Sequence, residues 1–303
     1  MQVTDVFYSD YLLHPLSGRA PRVGALLQLH FSNGMHGYAD CHPWYELGDL
    51  PLPQQLSLLK NRSFETPLLT RALYFSRLDA QYRSEKKYLL DGLTLPSSHF
   101  LVSSTMPDPI QIKAEEFTHV KMKVEKETLE ETIRCIKSLS DADLVVRLDF
   151  NLCLSEPLFL SFLEKITPFI RNIDFFEDPF PYDASRWKAI QQERGVVLAR
   201  DRFNEGGGTA AVTIWKPAVE EAPPTQGRLI VTSYLDHPIG QVYAAYEAAR
   251  QGTTEVCGLL SHRAYQPTPF SEVLSSKGPF FTKGEGTGCG FDDLLAEMEW
   301  KRC

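Results

Sequence analysis

No two of the six cysteines stand in a Cys-x-x-Cys spacing; Cys41, Cys135, Cys153, Cys257, Cys289 and Cys303 are scattered along the chain. That pattern argues against a zinc site or a disulfide framework and fits reduced thiols in a cytoplasmic protein. No apolar run approaches the ~20 residues that cross a bilayer. The opening residues Met1-Gln2-Val3-Thr4-Asp5 carry neither a basic nor an apolar leader region, so they do not read as a signal peptide. Positive charge is in short supply: 31 Lys and Arg against 39 Asp and Glu give a net charge of -8. The surface as a whole does not favour nucleic acid or anionic membrane. Low-complexity segments and solenoid repeats are also missing. What remains is an ordinary globular composition over 303 residues, 43% hydrophobic, enough for one large barrel or two domains.

The chain changes character near residue 98. Before it, residues 23–31 read as a strand, Ser32-Asn33-Gly34 as a turn, and residues 35–41 as the returning strand. From Gln54 to about Tyr88 the apolar spacing is helical. A sheet followed by helices suggests a small α+β domain. After residue 98, short β-prone runs recur at 100–103, 119–123, 144–149, 173–177, 196–201, 212–216, 229–233 and 256–260. Helical stretches separate most of them, clearest at 127–138, 156–170 and 240–251. Eight such runs predict a modified (β/α) barrel, with an open doubly wound sheet as the alternative. The expected division is a capping domain of residues 1–97 plus about 280–303, and a barrel of residues 98–279.

Several runs end in a functional side chain. The second ends in Lys121-Met122-Lys123, the third in Arg147-Leu148-Asp149-Phe150-Asn151, the fourth in Glu177-Asp178-Pro179, the fifth in Asp201 and the sixth in Lys216-Pro217. Asp149 to Glu177 is 28 residues and Glu177 to Asp201 is 24, each about one βα unit. In a barrel, strand C-termini meet on one face. Three carboxylates brought together there repel one another unless a cation offsets them. Hard oxygen donors favour Mg²⁺, with Mn²⁺ as a possible substitute. Lysines before and after the metal strands would flank a substrate carboxylate and could remove its α-proton.

Lys-x-Lys, Asp-x-Asn, Glu-Asp-Pro, Asp and Lys-Pro, in that order, resemble the enolase superfamily, for which a Lys or His base with Mg²⁺ is the known chemistry. The resemblance is to its muconate-cycloisomerase-like subgroup, and within that to the o-succinylbenzoate synthases. Arg147-x-Asp149-x-Asn151 and the segment Thr232-Ser233-Tyr234-Leu235-Asp236, with Pro238-Ile239-Gly240 after it, carry the finer match. Gly37-Tyr38-Ala39-Asp40-Cys41-His42-Pro43 is similar to the Gly-x-Gly-Glu-x-x-Pro of the family's capping domain.

The resemblance implies a lyase that dehydrates a cyclohexadiene carboxylate through an enediolate, in menaquinone biosynthesis. Asp149, Glu177 and Asp201 would bind the metal. Lys123 would be base and then acid, Lys216 would stabilise the enediolate, and Lys121 would hold Lys123 and the carboxylate. Arg147 and Asn151 would support the metal ligands from behind. Ser233, Thr232 and Tyr234 would face the substrate's tail. The chain departs from the pattern in three places. Asp201 to Lys216 spans only 15 residues, with Glu205-Gly206-Gly207-Gly208 between them, which implies a trimmed fifth βα unit. Asp201-Arg202-Phe203 lacks the usual Asp-Glu-Ser, and Asp236 stands where glutamate is more usual.

Taken singly, each piece has a plainer reading. Lys-x-Lys is usually two solvent-facing lysines. Asp149 could be a turn or cap residue, and Glu177 loop chemistry. Gly284, Gly286, Gly288 and Gly290 do not spell a phosphate loop and read as a turn-rich return to the first domain. The functional alternatives are a racemase, an epimerase or a muconate cycloisomerase with the same machinery. A Schiff-base aldolase using Lys216 and a binding protein on a decayed barrel are further options. Residues 16–24 and 33–52, rich in Gly and Pro, are candidate covers over the pocket. The expected partner is a small-molecule carboxylate.

Overall fold

The computed structural model describes residues 1–102, 107–201, 210–224, 227–274, 276–282 and 284–303. Its first sheet is antiparallel: β1 (Val3–Leu13), β2 (Arg22–Phe31) and β3 (His36–Cys41), with the C-terminal strand Lys301–Arg302 on the outer edge of β1. The Asn33-Gly34 turn joins β2 to β3, and Gly34 has the positive φ (83°) that such turns need. β1 went unread in the sequence because its Ser and Asp positions dilute the apolar pattern. Pairing with β2 along nearly its whole length fixes it.

The predicted single helical region is two helices, α1 (Leu52–Lys60) and α2 (Pro67–Ser84). Pro67 has no N–H to continue a helix from before it, and the Thr66 hydroxyl caps the new one by accepting from Leu69 N (3.2 Å). α2 lies tight against β3. A Cβ at Gly37 would stand 2.0 Å from the Ser76 carbonyl oxygen, so only glycine allows this approach.

Seven parallel strands follow: β4 (Phe100–Val102), β5 (His119–Lys123), β6 (Val145–Asp149), β7 (Ile173–Glu177), β8 (Leu198–Asp201), β9 (Val212–Trp215) and β10 (Arg228–Val231). They pair in strict chain order from β4 to β10. This excludes the doubly wound alternative, which requires the strand order to reverse. Helices α3 (Pro109–Ala114), α4 (Leu129–Asp141), α5 (Glu156–Ile166), α6 (Ala184–Arg194) and α7 (Pro238–Arg250) run between or after the strands. α4 shows why they pack outside: Thr132, Cys135, Ile136 and Leu139 are its buried stripe, at helical spacing. α5 stops four residues before the predicted end, and Thr167–Asn172, with Pro168 in its first turn, continues as a 3₁₀ turn.

The eighth predicted strand, 256–260, is not a strand. It is reduced to two bridges, Cys257 to Ser98 and Gly258 to Thr232. These bridges close the ring, through Cys257 N to Ser97 O (2.7 Å) on one side and Gly258 N to Val231 O (2.8 Å) on the other. The trimmed fifth unit at Glu205–Gly208 lies outside the described residues. No described helix is long and apolar enough to cross a membrane.

A buried polar cluster joins the first sheet to the N-terminus of α7. The Tyr11 hydroxyl donates to Asp40 Oδ1 (2.6 Å), and the His237 backbone N–H donates to Asp40 Oδ2 (3.0 Å). Asp236 packs so closely on Gly240 that a Cβ there would lie 2.3 Å from its Oδ2. Burial raises the Asp40 carboxyl to about 7, and burial with Asp40 beside it raises Asp236 well above the carboxylate range. A raised acid favours the folded state at low pH. That contribution is complete below the ordinary carboxylate value near 4 and is lost as pH rises through about 7. Its size is on the order of 4 kcal/mol. His42 and His237, lowered by burial to about 3, oppose this trend at acid pH in any variant. We therefore expect the urea stability of the wild type to fall more steeply than that of Asp40→Asn between pH 5 and 8. Parallel curves would show that Asp40 is ionised throughout.

Candidate active site

The strand register assembles the site. Lys123 on β5 pairs with Asp149 on β6, and Asp149 with Glu177 on β7, while Asp201 ends β8. Lys216 follows β9 directly, and the short approach to it does not displace it. Because side chains alternate along a strand, Lys121 and Lys123 share one side, as do Arg147 and Asp149. β5 and β9 are separated by three strands, which puts the lysines across the ring from Lys216. The turns after the carboxylate strands hold Asn151 (φ 43°), Leu152 (φ 60°) and Asp178 (φ 42°) in left-handed conformations. Such strained backbone persists where the surrounding structure over-determines it.

The Lys121 ammonium stands between two carboxylates, 2.9 Å from Asp149 Oδ2 and 2.8 and 2.7 Å from the Glu177 oxygens. Lys216 is hydrogen-bonded to Asp201. The Asn151 amide donates to Asp149 Oδ1 (2.9 Å). Lys123 is exposed and makes no ion pair with any described residue.

Two lysines do not balance the negative charge here. Burial, and then Asp149, push the Glu177 carboxyl up to about 8. Burial, and then Asp201 and Asp149, push Asp178 up to about 7. Asp149 is held below its ordinary range, because the Lys121 ammonium overcomes the effect of its burial. Among the described residues no three metal-binding side chains converge on one point; lysine ammoniums hold the carboxylates instead. The donor set nonetheless suits a hard divalent cation. Three carboxylates end adjacent strands, and the buried Glu177 Oε2 receives no hydrogen bond in donor geometry.

Arg147 does not touch the carboxylate trio. It is fully buried one layer below Asp149. Its Nε donates to Asp174 Oδ2 (2.8 Å), and its Nη1 donates to Val256 O (2.6 Å) and reaches His99 Nδ1 (3.2 Å). A guanidinium can only donate, so His99 Nδ1 accepts and the ring proton sits on Nε2. Burial, and then Arg147, hold the His99 imidazole neutral.

These groups line a cavity of about 300 Å³ at the barrel mouth. Lys121, Lys123, Asp149, Asn151, Asp201 and Lys216 face it, as do Thr232, Ser233 and Tyr234. The Ser233 hydroxyl donates to Ser261 Oγ (2.7 Å), and the Tyr234 hydroxyl points away to Asp49 Oδ2 (3.0 Å). The chain at the start of β2 and just after β3 supplies the other wall with Arg19, Arg22, Trp44, Glu46 and Leu47. Sequence reasoning marked those stretches only as turn-rich covers and named none of these side chains. It also passed over His99 and Asp178. The Glu-Asp-Pro spelling held a signal for Asp178; nothing local distinguished His99.

Comparison with known proteins gives a consistent picture. A family model described as the N-terminal domain of O-succinylbenzoate synthase matches residues 6–82. A curated o-succinylbenzoate synthase from Bdellovibrio bacteriovorus is 32% identical, over 97% of each chain. Among solved structures, a dipeptide epimerase from Cytophaga hutchinsonii, complexed with Mg and the dipeptide D-Ala-L-Val, aligns with a TM-score of 0.76 at 16% identity, over all of both chains. Muconate lactonizing enzyme from Pseudomonas putida aligns with a TM-score of 0.71 at 13% identity, over 98% of this chain and 99% of that one. The barrel with its α+β cap is therefore a fold that this chain shares with these enzymes.

Proposed function

Because the chain belongs to the o-succinylbenzoate synthase family of lyases, we propose that it converts 2-succinyl-6-hydroxy-2,4-cyclohexadiene-1-carboxylate to o-succinylbenzoate, as a step of menaquinone biosynthesis. The observation that carries this reading is the single cavity in which lysines from β5 and the end of β9 face each other across carboxylates from β6 and β8.

Asp149, Glu177 and Asp201 would hold Mg²⁺, which supplies a Lewis acid for the substrate carboxylate. Lys123, entering as a neutral amine, takes the α-proton from the ring carbon that bears the carboxylate. The C–H electron pair moves into the carboxylate and gives an enediolate, and the Lys216 ammonium stabilises that charge from the opposite wall. Lys123, now an ammonium, returns its proton to the departing ring hydroxyl. The C–O bond breaks, water leaves and the ring becomes aromatic. One residue serves both transfers because proton and hydroxyl leave from the same face. Lys121 keeps Asp149 and Glu177 oriented, and Asn151 steadies Asp149. Residues 1–97 with about 280–303 would form the cap, and residues 98–279 the barrel; the pairing of Lys301–Arg302 with β1 supports that division.

The direct test follows formation of the aromatic product by absorbance. We expect turnover with added Mg²⁺, a loss of at least about 100-fold after EDTA treatment, and recovery on adding Mg²⁺ back. Full activity after exhaustive chelation would remove the metal from this scheme. Failure to turn over this substrate, with α-proton exchange of N-acylamino acids or dipeptides in D₂O, would instead indicate a racemase or epimerase.

A further inference from the structure

The proposed substrate is a dianion, and the lysines and carboxylates at the barrel mouth account for only one of its two carboxylates. The tail carboxylate needs its own partner. Ser233 and Thr232 are neutral, and the Tyr234 hydroxyl is turned toward Asp49. The remaining cations on the cavity wall are Arg19 and Arg22.

Arg22 is held as a binding group rather than as a loose surface charge. Its guanidinium carbon sits 3.8 Å from the centre of the Trp44 ring, a stacked cation–π contact. Trp44 is itself fixed to the barrel, because its indole N–H donates to the Tyr234 carbonyl oxygen (2.7 Å). Asp49 completes the strut by accepting from Trp44 N (2.9 Å) and from the Tyr234 hydroxyl (3.0 Å). Only Nη1 of Arg22 is engaged, by Glu46 at 2.9 and 3.0 Å. Nε and Nη2 have no hydrogen-bond partner among the described residues, and the side chain is one-fifth exposed where it borders the cavity. Arg19, by contrast, is more than half exposed and paired with Glu125. Arg22 and Lys123 also line a neighbouring, larger cavity of about 710 Å³. A ligand with one carboxylate between the lysines can therefore extend its second toward Arg22.

We propose that Arg22, stacked on Trp44, binds the second carboxylate of the substrate and selects dicarboxylates, with Glu46 occupying the guanidinium until the ligand arrives. This rests on the function proposed above. An Arg–carboxylate contact of this kind is directional and charge-assisted, and the Trp44 stack leaves little side-chain freedom to be lost on binding.

The test uses the stable product, o-succinylbenzoate, and its tail carboxamide as ligands of the Mg²⁺-supplemented full chain, with Kd measured by calorimetry. Wild-type protein is expected to bind the diacid about 10- to 100-fold more tightly than the amide. Arg22→Met should lose that preference while binding the amide as before. Arg22→Lys should keep part of it. Glu46→Gln removes the internal competitor and should tighten the diacid about threefold or more, which covers the case of an unfolded Arg22 variant. Equal Kd values for diacid and amide in wild-type protein that turns over substrate would overturn the Arg22 assignment and leave the proposed reaction standing. Wild-type protein that neither turns over substrate nor binds product would overturn both.

Discussion

Replacing Lys123 with alanine is expected to lower kcat by about 10³- to 10⁴-fold and to leave the fold unchanged. The size follows from its two proposed tasks. A positioned acid–base group contributes about 10²–10⁴-fold, and Lys123 acts at both the proton loss and the hydroxide departure. The harmlessness to the fold follows from its position. Lys123 is the last residue of β5, exposed, and without an ion pair to any described residue. Its removal orphans no buried group, so urea stability should stay within about 0.5 kcal/mol of wild type. Lys123→Arg should be nearly as inactive, since a guanidinium does not deprotonate at neutral pH. A Lys123→Ala protein that kept a tenth of its activity would shift the base to Lys216 across the ring.

Arg147→Met should act in the opposite way, costing the fold far more than the chemistry. The guanidinium is fully buried and serves Asp174, the Val256 carbonyl and His99 together. Breaking a buried pair costs about 3–5 kcal/mol when the partner charge is left alone. Here Asp174 keeps Arg228, at 2.7 and 3.2 Å, so a loss near the lower figure is expected. The Val256 carbonyl and His99 Nδ1 lose their donor outright. Since residues next to Val256 close the ring through Cys257 and Gly258, the loss should appear as a lower urea midpoint, with turnover per folded molecule reduced less than 100-fold. A stability change below about 1 kcal/mol would mean that the barrel closes without this residue.

These two arginine and lysine positions show how unevenly the chain discloses itself. Arg147 and Lys123 were both visible as residues near strand ends, with Lys123 expected as the base and Arg147 as a support behind the metal ligands. The packing decides what Arg147 supports: it lies in the layer beneath the cavity mouth, on Asp174 and His99 and not on the carboxylates. The Asp40–Asp236 cluster was likewise present as a spelling. Its burial, which sets the pH dependence of stability, comes from the docking of the first sheet on α7 and not from either motif.

The sequence by itself determined where most of the strands fall along the chain and which residues end them, and hence the set of groups that can meet at the mouth; the pairing of those strands in chain order was decided by the structure. Short apolar, β-prone runs and the steps of 28 and 24 residues between carboxylates are local or nearly local properties. The family resemblance was legible because the same spacings carry it. Tertiary structure decided what depends on distant segments meeting. It reduced the eighth strand to two bridges, because the ring needs only Cys257 and Gly258 to close. It also brought Arg22 and Trp44, some hundred residues before the nearest catalytic lysine, over the barrel mouth, where a hydrogen bond from Trp44 to Tyr234 fixes them. No local pattern encodes such a contact, because its strength depends on two surfaces that become neighbours only once both have folded.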